Sequence, residues 1–420
     1  MNSEWASRSL GEFVRLQRGH DLTASEQRAG SVPVMGSAGP NGTHSEALAK
    51  GPGLVIGRSG ASIGRVHFSE VDYWPHNTCL YVTDFLGNNP RFAYYLLQTL
   101  NLAGYNSGSA QPSLNRNFVY SIRIQVPARW EQDEIAHLLN ALDDRIALLR
   151  ETNATLEAIA QALFKSWFID FDPVRAKSQG LAPAGMDEAT AAPFPEGFEE
   201  SALGPVPKGW PCIDLGELTR RCGGAIQTGP FGSQLHAKDY VDSGIPVVMP
   251  KDIVGRRVST DSIARVRSDD VERLSRHKLQ AGDIVFSRRG DVERHALITE
   301  REVGWLCGTG CLLVRPGPGW QSPGFLSLLL DAPRARTWLV QHAVGATMPN
   351  LNTGILASVP VVLPPPALLA AFDAVVAVTE EQRSRNATMA ETLAEIRDTL
   401  LPRVTSGQLR LPEAVDAALA

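Results

Sequence analysis

The chain repeats itself once, and no other feature limits its possible folds so tightly. Leu10-Gly11-Glu12 returns as Leu215-Gly216-Glu217, and Val32-Pro33-Val34 returns as Ile245-Pro246-Val247. GLVIGRSG (residues 53–60) is matched by GDIVFSRRG (282–290), and GSAQPSLNRNF (108–118) by GATMPNLNTGI (345–355). Each copy then runs through a short β-like stretch, SIRIQVP or SVPVVLP, into a long helical segment. One such match is noise. Five in the same order, at offsets drifting from 205 to 237, mean two copies of one module with loops of different length. Within each copy, β-branched runs such as Leu54-Val55-Ile56 and Cys311-Leu312-Leu313-Val314 read as strands between Gly and Pro punctuation. Short helices are expected at 91–102 and 325–340. The fold class is therefore mixed α/β: two tandem-repeated globular modules separated by two long antiparallel helices that form a coiled-coil-like spacer.

The helices are read from periodicity. In the first, apolar residues fall at Ile135, Leu138, Leu142, Ile146, Leu149, Leu156, Ala160, Leu163 and Trp167. In the second they fall at Leu368, Phe372, Val375, Met389, Leu393, Ile396 and Leu400. Steps of three and four give a narrow seam, and runs of about 38 residues span ~57 Å. A helix that long needs a partner along most of its length, and each can serve the other. Asn153-Ala154-Thr155 recurs as Asn386-Ala387-Thr388, each Asn on the seam and near its helix midpoint. We expect them to form a register-fixing pair. Residues 171–210 are rich in Pro, Gly and Ala without sustained period and read as an extended linker, long enough to return along the helices to the far end. The expected layout is a first module at 1–130, a spacer helix at 131–170, the linker at 171–210, a second module at 211–365, a spacer helix at 366–404 and a tail at 405–420.

Composition narrows the function. No apolar run approaches the ~18 residues of a membrane span, and MNSEWASRSLGEF lacks the basic and apolar regions of a signal peptide. Five scattered cysteines without a CxxC read as reduced thiols, and the expected compartment is cytoplasmic. The net charge of −5 conceals alternation: residues 1–130 carry 11 basic and 8 acidic side chains, residues 211–365 carry 18 and 15, and the remaining segments are acidic. Two mildly basic modules permit nucleic-acid binding. A phosphate-binding GxxxxGK[S/T] loop, HExxH, GxSxG, GxGxxG and the Asp/Asn-Pro-Pro-aromatic motif of amino-methyltransferases are all absent. His295 in RRGDVERH, beside Asp291 and Glu293, has the makings of a general base but reads as part of a solvated loop. Binding is favoured over catalysis. No catalytic residue, metal ligand or cofactor is assigned to this chain.

The segment EQDEIAHLLNALDDRIALLRETNATLEAIAQALFKSWFIDFDPVRAK (131–177) resembles the central conserved region of the specificity subunits of type I restriction–modification systems. PFPEGFEESALGPVPKGW (193–210) and LLPRVTSGQL (400–409) are similar to that family's linker and distal region. The second helix departs in lacking the Glu131-Gln132 entry and in being about one turn shorter before its Asn-Ala-Thr. The resemblance implies two target recognition domains that read a bipartite, asymmetric site in double-stranded DNA. It also implies helices that dock two adenine methyltransferase subunits and, through them, motor-nuclease restriction subunits. S-adenosylmethionine, ATP and Mg would belong to those partners. Trp167 and Phe168 are candidate docking residues for the methyltransferase. Base reading draws on Arg for guanine and on Asn or Gln for adenine. The candidates are Arg58, Gln111, Asn115 and Arg116 in the first module, and Lys251, Arg288, Arg289, Asn350 and Asn352 in the second. Asn115 and Asn352 follow matching Pro-x-Leu sequences and are equally good turn-formers. The alternatives are a stand-alone DNA-binding regulator and a protein-binding scaffold.

Overall fold

Three of the duplicated sequence blocks fold into duplicated strands, and Leu10-Gly11-Glu12 and Leu215-Gly216-Glu217 open short helices. A computed structural model describes residues 5–107, 112–345 and 347–410. It divides into two compact units, one built from residues 1–151 with 386–420 and the other from 152–385. Each unit therefore contains one module and half of each long helix.

In the first unit a four-stranded antiparallel sheet runs in the order Arg15–Arg18, Cys79–Asp84, Gly53–Gly57, Val66–Ser69. In the second unit the same order is built by Ala225–Thr228, Cys311–Arg315, Ile284–Ser287 and His295–Leu297. A second sheet is repeated as well. Val32–Gly36 pairs antiparallel with Gly39–His44 and parallel with Trp74–Pro75. Ile245–Val248 pairs antiparallel with Ala264–Val266 and parallel with Leu306–Cys307. Each module closes with its first strand on its last, Ala6–Ser9 on Arg123–Val126 and Cys212–Asp214 on Pro360–Val362. The central strands Gly53–Gly57 and Ile284–Ser287 are buried on both faces, so they read as unbroken apolar runs rather than alternating ones.

The short helices differ from expectation in the second module. Pro90–Thr99 forms one helix, capped by the Asn89 side chain. The counterpart is two helices, Pro323–Asp331 and Pro333–His342. Pro333 has no N–H to continue the ladder and forces Ala332 out of the helical region, to ψ 145°.

The long helices, Arg129–Phe168 and Pro366–Thr405, are 40 residues each, or ~60 Å at 1.5 Å per residue. Within each unit they pair antiparallel. In the first unit Ile146 and Leu149 pack against Ala390, Leu393 and Ala394, and Arg397 bonds Asp143 at 2.6 Å. In the second unit Glu157 pairs with Arg383, and Phe164 lies 6.0 Å from Phe372. The seam of the second helix is offset from the one read in sequence. Val375 and Met389 are exposed, and Val376 and Ala390 are buried in their place. The buried line runs Phe372, Val376, Arg383, Asn386, Ala390, so its middle is polar.

The segment 171–210 does not run extended to a far end. It forms a helix, Asp172–Ser178, and a hairpin, Phe198–Ser201 with Gly204–Pro207. Trp210 returns to 6.1 Å from Phe168, where the segment began. Aromatic burial holds it there: Phe194 and Trp210 join Phe164, Trp167, Phe168, Phe325 and Phe372 in one cluster. Among the described residues no helix is long and apolar enough to cross a membrane.

Candidate nucleic-acid interface

Each module places an arginine at the same point by the same backbone bonds. Arg58 follows the central strand of the first sheet. Its N–H donates to the Thr78 carbonyl (2.9 Å), and its carbonyl accepts from the Leu114 N–H (2.8 Å). Arg288 follows the central strand of the second. Its N–H donates to Gly310 (2.9 Å), and its carbonyl accepts from Leu351 (2.9 Å). The pairing thus fastens the loop carrying Pro-x-Leu-Asn onto the sheet in both modules. The flanking residues differ: Ser59 bridges Ser113 in the first, whereas Arg289 bridges Asn350 in the second.

In the first unit these residues line an open cleft of about 720 Å³ together with Gln17, Arg18, His20 and Ser107. Arg58, Asn115 and Arg116 meet there; Gln111 lies outside the described residues. No carboxylate is among the described residues lining the cleft, whereas three arginines and a histidine are. The Arg58 guanidinium donates to the Asn77 carbonyl (3.4 Å) and that of Arg116 to the Leu16 carbonyl (3.0 Å). A guanidinium has five N–H donors, so each is oriented without being saturated. Asn115 accepts from the Asn117 N–H at 3.0 Å and caps the short helix Arg116–Val119. Gln17, Arg18 and His20 escaped sequence reading because they lie forty residues from Arg58. The glycine beside them was the available signal. A Cβ on Gly19 would sit 2.0 Å from the His76 carbonyl, and one on Gly229 would sit 1.9 Å from Gly308. The two glycines donate to Cys79 and Cys311, respectively, so the repeat extends to this strand.

In the second unit Arg289 is exposed and Arg288 half-buried. Nε of Arg288 and Oδ1 of Asn350 are buried and make no hydrogen bond among the described residues. Asn352 accepts from the Ile355 N–H at 2.8 Å and caps Thr353–Ala357. Both Pro-x-Leu asparagines thus serve as helix caps. Lys251 adjoins Pro250, whose ring lies against Gly310, and its exposed ammonium donates to the Ser262 carbonyl at 2.8 Å.

Other expectations are revised by burial. Trp167 and Phe168 are 6% and 5% exposed inside the aromatic cluster, so neither presents a surface. Among the described residues, the large apolar side chains that the long helices do expose are Trp130, Leu148, Ile159, Val375, Val378 and Met389. His295 is no loop residue. It lies buried in a strand, stacked on Phe286, with Nε2 3.0 Å from the Ser327 carbonyl. Burial, with Arg256 nearby, lowers its pKa to about 4. Burial also pushes the Cys79 thiol up to about 12, so it is held as an unreactive thiol.

Residues 2–158 match the family model for the type I restriction modification DNA specificity domain. The chain is 27% identical over 363 residues to the type I restriction enzyme HindI specificity subunit of Haemophilus influenzae, covering 76% of this chain and 77% of that one. It is 24% identical over 326 residues to the MjaIX specificity subunit of Methanocaldococcus jannaschii, covering 77% and 69%. The crystal structure of the S subunit of a type I restriction–modification system from M. genitalium shares its fold, with a TM-score of 0.60 at 17% identity over 96% of each chain.

Proposed function

We propose that this chain is a specificity subunit of a type I restriction–modification system, a non-catalytic member of such a complex, and that its two modules each read one half of a bipartite, asymmetric DNA site. The observation that carries this reading is the repeated cradle around Arg58 and Arg288. One scaffold holds an arginine at an equivalent backbone position twice, while its neighbours change from Ser59 and Ser113 to Arg289 and Asn350. A shared cradle with unlike rims suits two half-sites of unlike sequence. An arginine bidentate to guanine is worth about 1–3 kcal/mol of discrimination, and a cleft whose described lining includes three arginines, one of them paired with Asp21, suits a phosphate-rich ligand. Arg116, Arg288 and Arg289 are the leading base-readers. Asn115 and Asn352 act chiefly through the caps they form.

The long helices hold the modules at the spacing of the half-sites and dock two adenine methyltransferase subunits, through which motor-nuclease subunits join. S-adenosylmethionine, ATP and Mg enter with those partners. Docking falls to the exposed Leu148, Ile159, Val375, Val378 and Met389 rather than to Trp167 and Phe168. Asn153 and Asn386 hold the helices in register. The Asn153 amide donates to the Arg383 carbonyl at 3.0 Å, and Asn386 is buried three residues further along that helix.

The test is methylome sequencing of the assembled complex carrying Arg58→Ala or Arg288→Ala. Each variant should relax one half-site only, by about 10-fold or more in base preference, and leave the other intact. Loss of neither, or relaxation of both by either change, overturns the assignment.

A further inference from the structure

The second module contains a hairpin that the first lacks. In the first module the strands Val32–Gly36 and Gly39–His44 are joined by Ser37-Ala38 alone. In the second, the equivalent pair Ile245–Val248 and Ala264–Val266 is separated by an insertion. Within it, Ile253–Val254 pairs antiparallel with Arg257–Val258. The two-residue turn, Gly255-Arg256, has φ of 54° and 61°. A positive φ at both central positions is the tight hairpin turn that favours Gly, Asn or Asp. Arginine there is strained, and such strain persists where the surroundings hold it.

The surroundings are ionic. Nε of Arg256 donates to Glu157 on the first long helix at 3.0 Å, Nη2 reaches the same oxygen, and Nη1 donates to Ser327 Oγ at 3.1 Å. The other oxygen of Glu157 faces Arg383 on the second long helix, which bonds Glu380 at 2.7 Å. Glu380 also takes Arg257. The turn is at the same time bonded to the main sheet, because the Leu297 N–H donates to the Arg256 carbonyl at 3.1 Å. Arg256 and Arg383 are 8% and 9% exposed on their side chains. Burial, with Arg383 nearby, brings Arg257 down to about 10, so it remains charged at neutral pH.

We propose that this hairpin is a strap that fixes the angle of the second reading module on the helix pair, making Arg256 a positioning residue for the spacing between half-sites. The inference rests on the proposed function and adds to it a determinant of spacing that touches no base. Unpairing one member of a buried ionic cluster loosens the whole, and a loosened module accepts half-sites at neighbouring separations.

The experiment uses the complex reconstituted with its methyltransferase subunits, on DNAs with constant half-sites and a spacer one base pair shorter, native or one longer. Arg256→Gly relieves the backbone strain and removes the strap. It should raise methylation of the off-length spacers relative to the native one by 10-fold or more, with the half-site bases unchanged. Glu380→Gln, which keeps shape and removes one charge, should move the same ratio in the same direction by a smaller factor. An unchanged ratio in both variants, or altered bases in the second half-site, overturns the strap. Absence of any site preference in the unaltered complex would instead overturn the proposed function.

Discussion

His295 shows how far a residue's local sequence can mislead. Arg288, Arg289, Asp291, Glu293 and Arg294 surround it with charge, the signature of a solvated loop. Yet it stands in a three-residue strand opposite Phe286, next to the fully buried Ala296. A strand that short shows no alternation against such neighbours, so its inward face was invisible in sequence. The burial has a thermodynamic signature. An unfolded chain takes up a proton on His295 near pH 6.5, whereas the folded one does so near 4. Between those values the unfolded state binds more protons. The contribution is therefore fully present above about pH 6.5 and is lost as the pH falls toward 4. Denaturation of the purified protein from pH 7 to 4 should show the second unit losing stability with a slope of up to about 1.4 kcal/mol per pH unit from this group. His295→Gln should flatten that slope; parallel slopes for both proteins would mean the histidine is not titrating in this window.

At the scale of elements, the duplication was the most legible feature. Among the described residues its blocks fall in equivalent elements: Val32-Pro33-Val34 and Ile245-Pro246-Val247 in strands, Leu10-Gly11-Glu12 and Leu215-Gly216-Glu217 at the start of short helices. The long helices were legible as helices but not in their exact facing. Val375 and Val376 are equally apolar, as are Met389 and Ala390, and the residue that decides between them is Arg383. Its burial beside Glu157 keeps the seam continuous, but a charged residue reads as a break in it. The reading cleft was half visible, with the loop residues found and Arg18 missed for want of a local motif. The polar middle of the seam also makes the asparagine pair testable. Changing Asn153 and Asn386 together to Leu should raise the unfolding midpoint, by on the order of 1 kcal/mol of stability. The complex should at the same time tolerate altered spacers, because an apolar seam accepts more than one register. A double variant with lower stability and an unaltered spacer preference would remove the asparagines from the account of register.

At the scale of the whole molecule, the first unit is discontinuous in the chain. Its core joins Leu10, Phe92 and Ile135 to Leu400, Val404 and Leu409. Glu131 receives both the Trp5 indole and, at 2.9 Å, the Arg410 guanidinium. The second unit, by contrast, is one uninterrupted stretch, 152–385. On a ribosome, then, the half made first is finished last. Domains ordinarily fold in the order they emerge, at about 5–20 residues per second. Here the opening module waits on the order of tens of seconds for the strand of helix that completes it, holding part of its apolar surface in water meanwhile. Chains stalled once residue 385 has cleared the ribosome should resist protease across 152–385 and be cut within 1–151. Release of the remaining residues should then protect both. Equal resistance of the two segments in the stalled chain would show that the opening module stands without its distant helix.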